Sequence, residues 1–126
     1  LIGKHIQAYH GMLGTTFGGN HLACAAAISV LDVLEKENLM DNVTADSGYF
    51  VAAVKDLKGL QKIKGKGLMI GLEFDEEVGE LRKKLIYDEH IFTGGSMNKK
   101  LLRILPPLNV SIAELQPFVK ALKKIL

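Results

Sequence analysis

The stretch LQKIKGKGLMIGLEF, residues 60–74, constrains the fold more strongly than any other part of the sequence. Apolar residues recur at every second position of its second half: Leu68, Ile70, Leu72 and Phe74. This two-residue period predicts a β-strand, and the glycine-bearing turn before it predicts an antiparallel partner that starts near Leu60. The spacing G-x-G-x-x-x-G, in a turn and a strand, does not match a dinucleotide-binding fingerprint.

Helical periods and turn residues predict the remaining elements. We expect helices at about residues 20–38, 41–57 and 75–88 and from residue 112 onward. Asp41 or Asn42 can cap the second helix and Asp75 the third, and SIAE, residues 111–114, forms a capping box for the last. HIFTGGS predicts a short strand and a loop, and LLRILPP a strand that two prolines end. The order predicts an α+β fold, with a largely antiparallel sheet and helices packed on one face.

Composition indicates a folded globular domain, since 48% of the 126 residues are hydrophobic and 24% are charged. Sixteen basic and fourteen acidic residues leave a net charge of +2, too small to indicate nucleic acid or an anionic membrane as a partner. No apolar run approaches the ~20 residues that span a bilayer. Because the chain begins at Leu1 rather than methionine, we expect it to be part of a longer protein.

The single cysteine, Cys24, cannot form an internal disulfide, which fits a reducing, cytoplasmic location. Because it lies among alanines, we expect it to be a small core residue. The four histidines show no metal-ligand spacing, and no serine lies in a nucleophile-elbow motif.

The glycine-rich stretch GTTFGGN, residues 14–20, runs directly into the first predicted helix. Unpaired N–H groups and the helix dipole favour negative charge at such a place, and the hydroxyls of Thr15 and Thr16 add donors. Two interpretations remain open from the residues alone: a binding site for a ligand phosphate, or a tight turn whose threonines cap the helix. The spacing does not match a P-loop.

Arg103 places a charge inside the apolar frame LLRILPP. Its side chain either faces solvent on an alternating strand or binds a specific anion. A guanidinium binds a carboxylate through two parallel hydrogen bonds, which suits recognition of a small acid.

Four segments together resemble a known family. GTTFGGN, LACAAAISVLDVLEKENL, KGKGLMIGLEF and LLRILPPLNVS, in this order, resemble the C-terminal part of class III (ornithine-type) pyridoxal-phosphate (PLP) aminotransferases. The resemblance covers nearly the whole chain and implies the small C-terminal domain of fold-type I PLP enzymes. It implies that residues 1–19 are a remnant of the large domain and that residues 20–126 hold the connecting helix and the small domain.

The resemblance also implies roles for individual residues. Thr16, with Thr15 as its neighbour, would bind the phosphate of PLP held by the other subunit of a homodimer, and Arg103 would bind the substrate α-carboxylate. His21 replaces the proline that usually follows Gly-Gly-Asn in the family, which the first helical turn accepts. The family's cofactor-binding lysine lies upstream of the glycine-rich stretch, and Lys4 does not match its motif.

The implied activity is transfer of the amino group of N-acetylornithine, or a similar ω-amino substrate, to 2-oxoglutarate in arginine biosynthesis. We expect the isolated segment to be inactive and to self-associate through exposed small and apolar residues near its N-terminus. Two alternatives remain. The first is another class III aminotransferase, acting on ornithine, succinylornithine or 4-aminobutyrate, and the second is a noncatalytic interaction module.

Overall fold

The structure, a computed structural model, describes residues 4–7, 9–12 and 14–126. Its elements in chain order are α1 (His21–Lys36), α2 (Leu39–Val54), β1 (Leu60–Lys66), β2 (Met69–Phe74), α3 (Gly79–Tyr87), β3 (Leu101–Ile104) and α4 (Ile112–Ile125). The chain divides into two compact units, Leu1–Glu37 and Asn38–Leu126.

Helix α1 is the regular element of the first unit. Asn20 caps it, because its side-chain oxygen accepts a hydrogen bond from the N–H of Ala23 at 2.9 Å. No residue of α1 is buried, and Leu22 is 82% exposed. The prediction that Cys24 is a core residue is therefore wrong, since the described part of this unit offers no second helix or strand to cover it.

The three strands of the second unit form an antiparallel sheet in the order β1-β2-β3. Ile63 pairs with Leu72 across the β1–β2 hairpin, and Leu72 pairs with Leu102 of β3. Gly67 lies in the turn with a φ of 56°, and Gly65, near the end of β1, has a φ of 115°. A Cβ at Gly65 would collide with the carbonyl oxygen of Met69, so the end of β1 requires glycine there. The predicted hairpin is confirmed.

One face of this sheet forms the core with α2, α3 and α4. The fully buried side chains at its centre come from all three helices and two strands: Phe50, Val54, Leu72, Leu85, Leu102 and Leu122. The rings of Phe50 on α2 and Phe118 on α4 are stacked, with centroids 5.8 Å apart. The predicted α+β fold, with helices on one face of an antiparallel sheet, is confirmed.

The starts of two helices differ from the sequence prediction. Helix α2 begins at Leu39, and Asn42 does not cap it because its amide donates to the carbonyls of Leu108 and Val110. The carboxylate of Asp41 accepts from the side chain of Asn38 instead of capping α2. Two tertiary hydrogen bonds thus use the amide of Asn42, and a local hydrogen bond from Asn38 uses the carboxylate of Asp41.

Helix α3 and the HIFTGGS segment also differ. Helix α3 begins at Gly79, because Asp75 still belongs to the sheet layer and donates its N–H to the carbonyl of Gly59. HIFTGGS forms no strand and makes only an isolated antiparallel bridge between Gly94 and Arg103. The prediction of a short strand in HIFTGGS is therefore wrong.

The capping box of α4 is present as predicted. The N–H of Glu114 donates to the hydroxyl of Ser111 at 3.3 Å, and the N–H of Ser111 donates to the carboxylate of Glu114 at 2.9 Å. The hydroxyl of Ser111 also donates to this carboxylate, at 2.7 Å. These bonds hold the pKa of Glu114 below its ordinary value of 4.5.

The capping box predicts a pH-dependent stability. Folding lowers the pKa of Glu114, so its ionised carboxylate stabilises the folded state. This contribution to the free energy of unfolding is complete above the pKa of the unfolded state and is lost as the pH falls through the pKa of the folded state. We expect urea unfolding, measured at a series of pH values, to show a smaller loss of stability on acidification for Glu114→Gln than for the wild type. Glu76→Gln, at an exposed carboxylate, is the control and should follow the wild type. Identical acid profiles for Glu114→Gln and the wild type would contradict this.

Candidate functional site

The glycine-rich turn before α1 presents two exposed threonines. Thr15 and Thr16 are both exposed, and the turn leads directly to Asn20, the cap of α1. A Cβ at Gly18 would collide with the methyl group of Thr15, and Gly19 has a φ of 73°. The positive φ of Gly19 favours glycine there, whereas at Gly18 the methyl group of the exposed Thr15 side chain would have to move for a Cβ to fit.

The donors at this turn suit an anion. Within the part of the chain that the structure describes, the hydroxyls of Thr15 and Thr16 have no hydrogen-bond partner. Asn20 satisfies only the N–H of Ala23, so the N–H groups of His21 and Leu22 keep no partner among the described residues. Hydroxyls and helix N–H groups together are the donor set that a phosphate group takes.

Arg103 lies on the face of the sheet opposite the helices. Its neighbours on β3, Leu102 and Ile104, are buried in the core, so the alternation of the strand directs the Arg103 side chain away from it. The residue is exposed. It pairs with Gly71 of β2 on one side and with Gly94 on the other. Both lateral neighbours are glycines, and the side chain of Leu101 covers Gly71.

No ion pair neutralises Arg103 among the described residues. The carboxylate on the same sheet face, Glu73, binds the ammonium of Lys64 at 2.8 Å and the amide of Asn98 at 2.7 Å. The hydrogen bond from Lys64 is the main cause that lowers the pKa of Glu73. Because Glu73 already binds Lys64 and Asn98, it does not neutralise Arg103, and the guanidinium can bind an anionic ligand.

An open groove of about 400 Å³ adjoins Arg103. Besides Arg103, its lining includes Phe92, Thr93, Leu105 and Glu114. The side chains of Phe92 and Leu105 are 84% and 54% exposed, and the hydroxyl of Thr93 is buried without a hydrogen-bond partner among the described residues. The groove therefore offers apolar surface beside one guanidinium and one carboxylate, and Ser111 already donates hydrogen bonds to that carboxylate in the capping box of α4.

The predicted site residues fall in different units: Thr15 and Thr16 in the first and Arg103 in the second. Sequence reasoning missed Gly94, which is bridged to Arg103; only the glycine pair in HIFTGGS marked this loop. Among the described residues, no three or more His, Cys, Asp or Glu side chains cluster to hold a metal ion. Nor does a helix in the described ranges have the length and apolar character needed to cross a membrane.

The sequence matches a known protein family and is similar to proteins of known activity. A family model described as aminotransferase class-III matches residues 3–126. The ornithine aminotransferase of Bordetella pertussis is 38% identical over 106 residues, which cover 80% of this chain and 25% of that protein. The acetylornithine aminotransferase of Listeria innocua is 37% identical over an alignment of 137 residues, gaps included, which covers 100% of this chain and 34% of that protein.

A solved structure has the same fold. The ornithine aminotransferase of Toxoplasma gondii superimposes with a TM-score of 0.77 at 27% identity, covering 92% of this chain and 29% of that one. The chain thus spans between a quarter and about a third of the length of these relatives. Since the family model covers the fold and both candidate anion sites, the chain belongs to the class-III aminotransferase family.

Proposed function

We propose that this chain is the C-terminal part of a PLP-dependent aminotransferase that transfers the amino group of N-acetylornithine to 2-oxoglutarate. The observation that carries the proposal is Arg103, a guanidinium without an ion-pair partner among the described residues, on an open sheet face of a class-III aminotransferase chain. Residues 1–19 would belong to the large domain and residues 20–126 to the connecting helix and the small domain. The parent protein would be a homodimer.

In this proposal Arg103 binds and orients the substrate. Its planar guanidinium donates two parallel hydrogen bonds to an α-carboxylate, which fixes both the position and the orientation of the acid. Arg103 is exposed on the open face of the sheet, where an acid can reach it. N-acetylornithine and 2-oxoglutarate each carry an α-carboxylate, so both acids are candidate ligands of the Arg103 guanidinium.

Thr16, with Thr15 beside it, would hold the phosphate of PLP from the other subunit. The N–H groups of His21 and Leu22 would complete the donor set at the start of α1. When bound, PLP supplies the carbonyl chemistry that takes an amino group from the donor and returns it to the acceptor. The structure of the Toxoplasma gondii ornithine aminotransferase has PLP at partial occupancy in its active site. The lysine that binds the cofactor covalently would stand outside this chain.

Ornithine is the second candidate donor, because a relative named ornithine aminotransferase is 38% identical and one named acetylornithine aminotransferase is 37% identical. The two donors differ by an acetyl group that removes one positive charge. The ratio of kcat/KM for N-acetylornithine and ornithine, measured on the full-length parent, distinguishes them. A higher value for ornithine would replace the first assignment.

We expect Arg103→Ala in the full-length parent to raise KM for both N-acetylornithine and 2-oxoglutarate by about tenfold or more, because charge-assisted hydrogen bonds to the carboxylate are lost. Steady-state kinetics with each substrate varied in turn measure this. Lys66→Ala removes another exposed cation of the sheet and is the control, with KM unchanged. Unchanged KM values in Arg103→Ala would refute the assigned role.

We expect Thr16→Ala to weaken binding of PLP to the full-length apoprotein by about tenfold, because a hydroxyl donor to the phosphate is lost. Absorbance titration with PLP measures the Kd directly. Thr44→Ala is the matched control, since the hydroxyl of Thr44 donates to the carbonyl of Met40 within α2. Equal Kd values for Thr16→Ala and the wild type would show that this hydroxyl does not hold the phosphate.

A further inference from the structure

Gly94 and Arg103 are joined by two main-chain hydrogen bonds. The N–H of Gly94 donates to the carbonyl of Arg103 at 2.8 Å, and the N–H of Arg103 donates to the carbonyl of Gly94 at 3.1 Å. This isolated antiparallel bridge holds the loop of residues 91–98 against the open side of β3. The main chain at position 94 is therefore fixed directly beside the arginine.

The side chain of Arg103 occupies the space that a side chain at position 94 would need. A Cβ built on Gly94 would lie 2.6 Å from Nε of Arg103, 3.2 Å from Nη2 and 3.3 Å from Cβ. The first distance is shorter than two such atoms tolerate, so any residue other than glycine would push the guanidinium away. Gly94 does not have the positive φ that favours glycine, so the requirement comes from space alone.

A side chain in this space should change the orientation of Arg103 and leave the packing of the core unchanged. The atom that would have to move most belongs to a flexible side chain on the open face of the sheet. The buried neighbours Leu102 and Ile104 point to the other face and stay in place. A methyl group at position 94 should therefore change the direction of the guanidinium while the fold persists.

We propose that Gly94 is a positioning residue for Arg103: by lacking a side chain, it lets the guanidinium lie across the bridged main chain and point at the substrate carboxylate. The proposal rests on the proposed function, in which Arg103 binds that carboxylate. It assigns a specific purpose to the first glycine of the HIFTGGS loop.

The test is Gly94→Ala in the full-length parent, with 2-oxoglutarate and N-acetylornithine as substrates. We expect KM for both to rise by about tenfold, the factor that a misaligned charge-assisted hydrogen bond costs, with a smaller change in kcat and an unchanged Tm. Gly95→Ala is the matched control in the same loop. A Cβ there would approach Nη1 of Arg82, at 3.0 Å, rather than Arg103, so KM should stay at the wild-type value.

A double-mutant cycle identifies Arg103 as the group through which Gly94 acts. In the Arg103→Ala background, Gly94→Ala should add no further increase in KM, because the displaced group is already absent. If Gly94→Ala still raises KM there, if Gly95→Ala raises it equally, or if Gly94→Ala lowers Tm strongly, the positioning role is wrong. If Arg103→Ala raises KM and Gly94→Ala does not, only this inference fails. If Arg103→Ala has no effect, the proposed function fails as well.

Discussion

The pairing of β3 with β2 determines what Arg103 can do. Leu72 pairs with Leu102, and both are fully buried against the helices, so the residue after Leu102 must point to the opposite face. A shift of the register by one residue would turn the guanidinium into the core and expose the leucine. Burying an unpaired guanidinium is costly, so the register that buries the leucines also keeps the charge on the open face.

Missing side chains shape both candidate anion sites. Gly71 and Gly94 flank Arg103 on its two sides, and Gly18 gives way to the methyl group of Thr15 in the turn before α1. At Gly94 the neighbouring group is polar, because a Cβ there would lie against Nε of Arg103. A Cβ at Gly18 would meet the methyl group of Thr15, and one at Gly71 would meet the side chain of Leu101.

Local patterns predicted the parts of this fold that local forces form. The two-residue period of β2 and the S-x-x-E sequence at Ser111 each specify a structure through neighbouring residues, and both are confirmed. The cap expected at Asn42 was wrong because its amide reaches carbonyls 66 and 68 residues away along the chain. The prediction that Cys24 lies in the core was wrong, because neighbouring alanines do not indicate whether another part of the chain covers the residue.

The candidate site could be predicted only in part for the same reason. The positions of Thr16 and Arg103 follow from motifs in register along the chain, and their roles remain proposals. The partnership of Gly94 with Arg103 could not be predicted, since an isolated bridge leaves no period in the sequence. Its only sign was a glycine in a loop, and glycines in loops have many causes.

Isotope transfer in the full-length parent tests the central claim most directly. The purified protein, supplied with PLP, would be incubated with N-acetylornithine labelled with ¹⁵N at the ω-amino group and with unlabelled 2-oxoglutarate. We expect glutamate that carries the label, detected by mass spectrometry, in an amount that grows with time and requires both substrates. Unlabelled glutamate only, or no glutamate, with this donor and with ω-labelled ornithine, would contradict the assignment to an aminotransferase of this class.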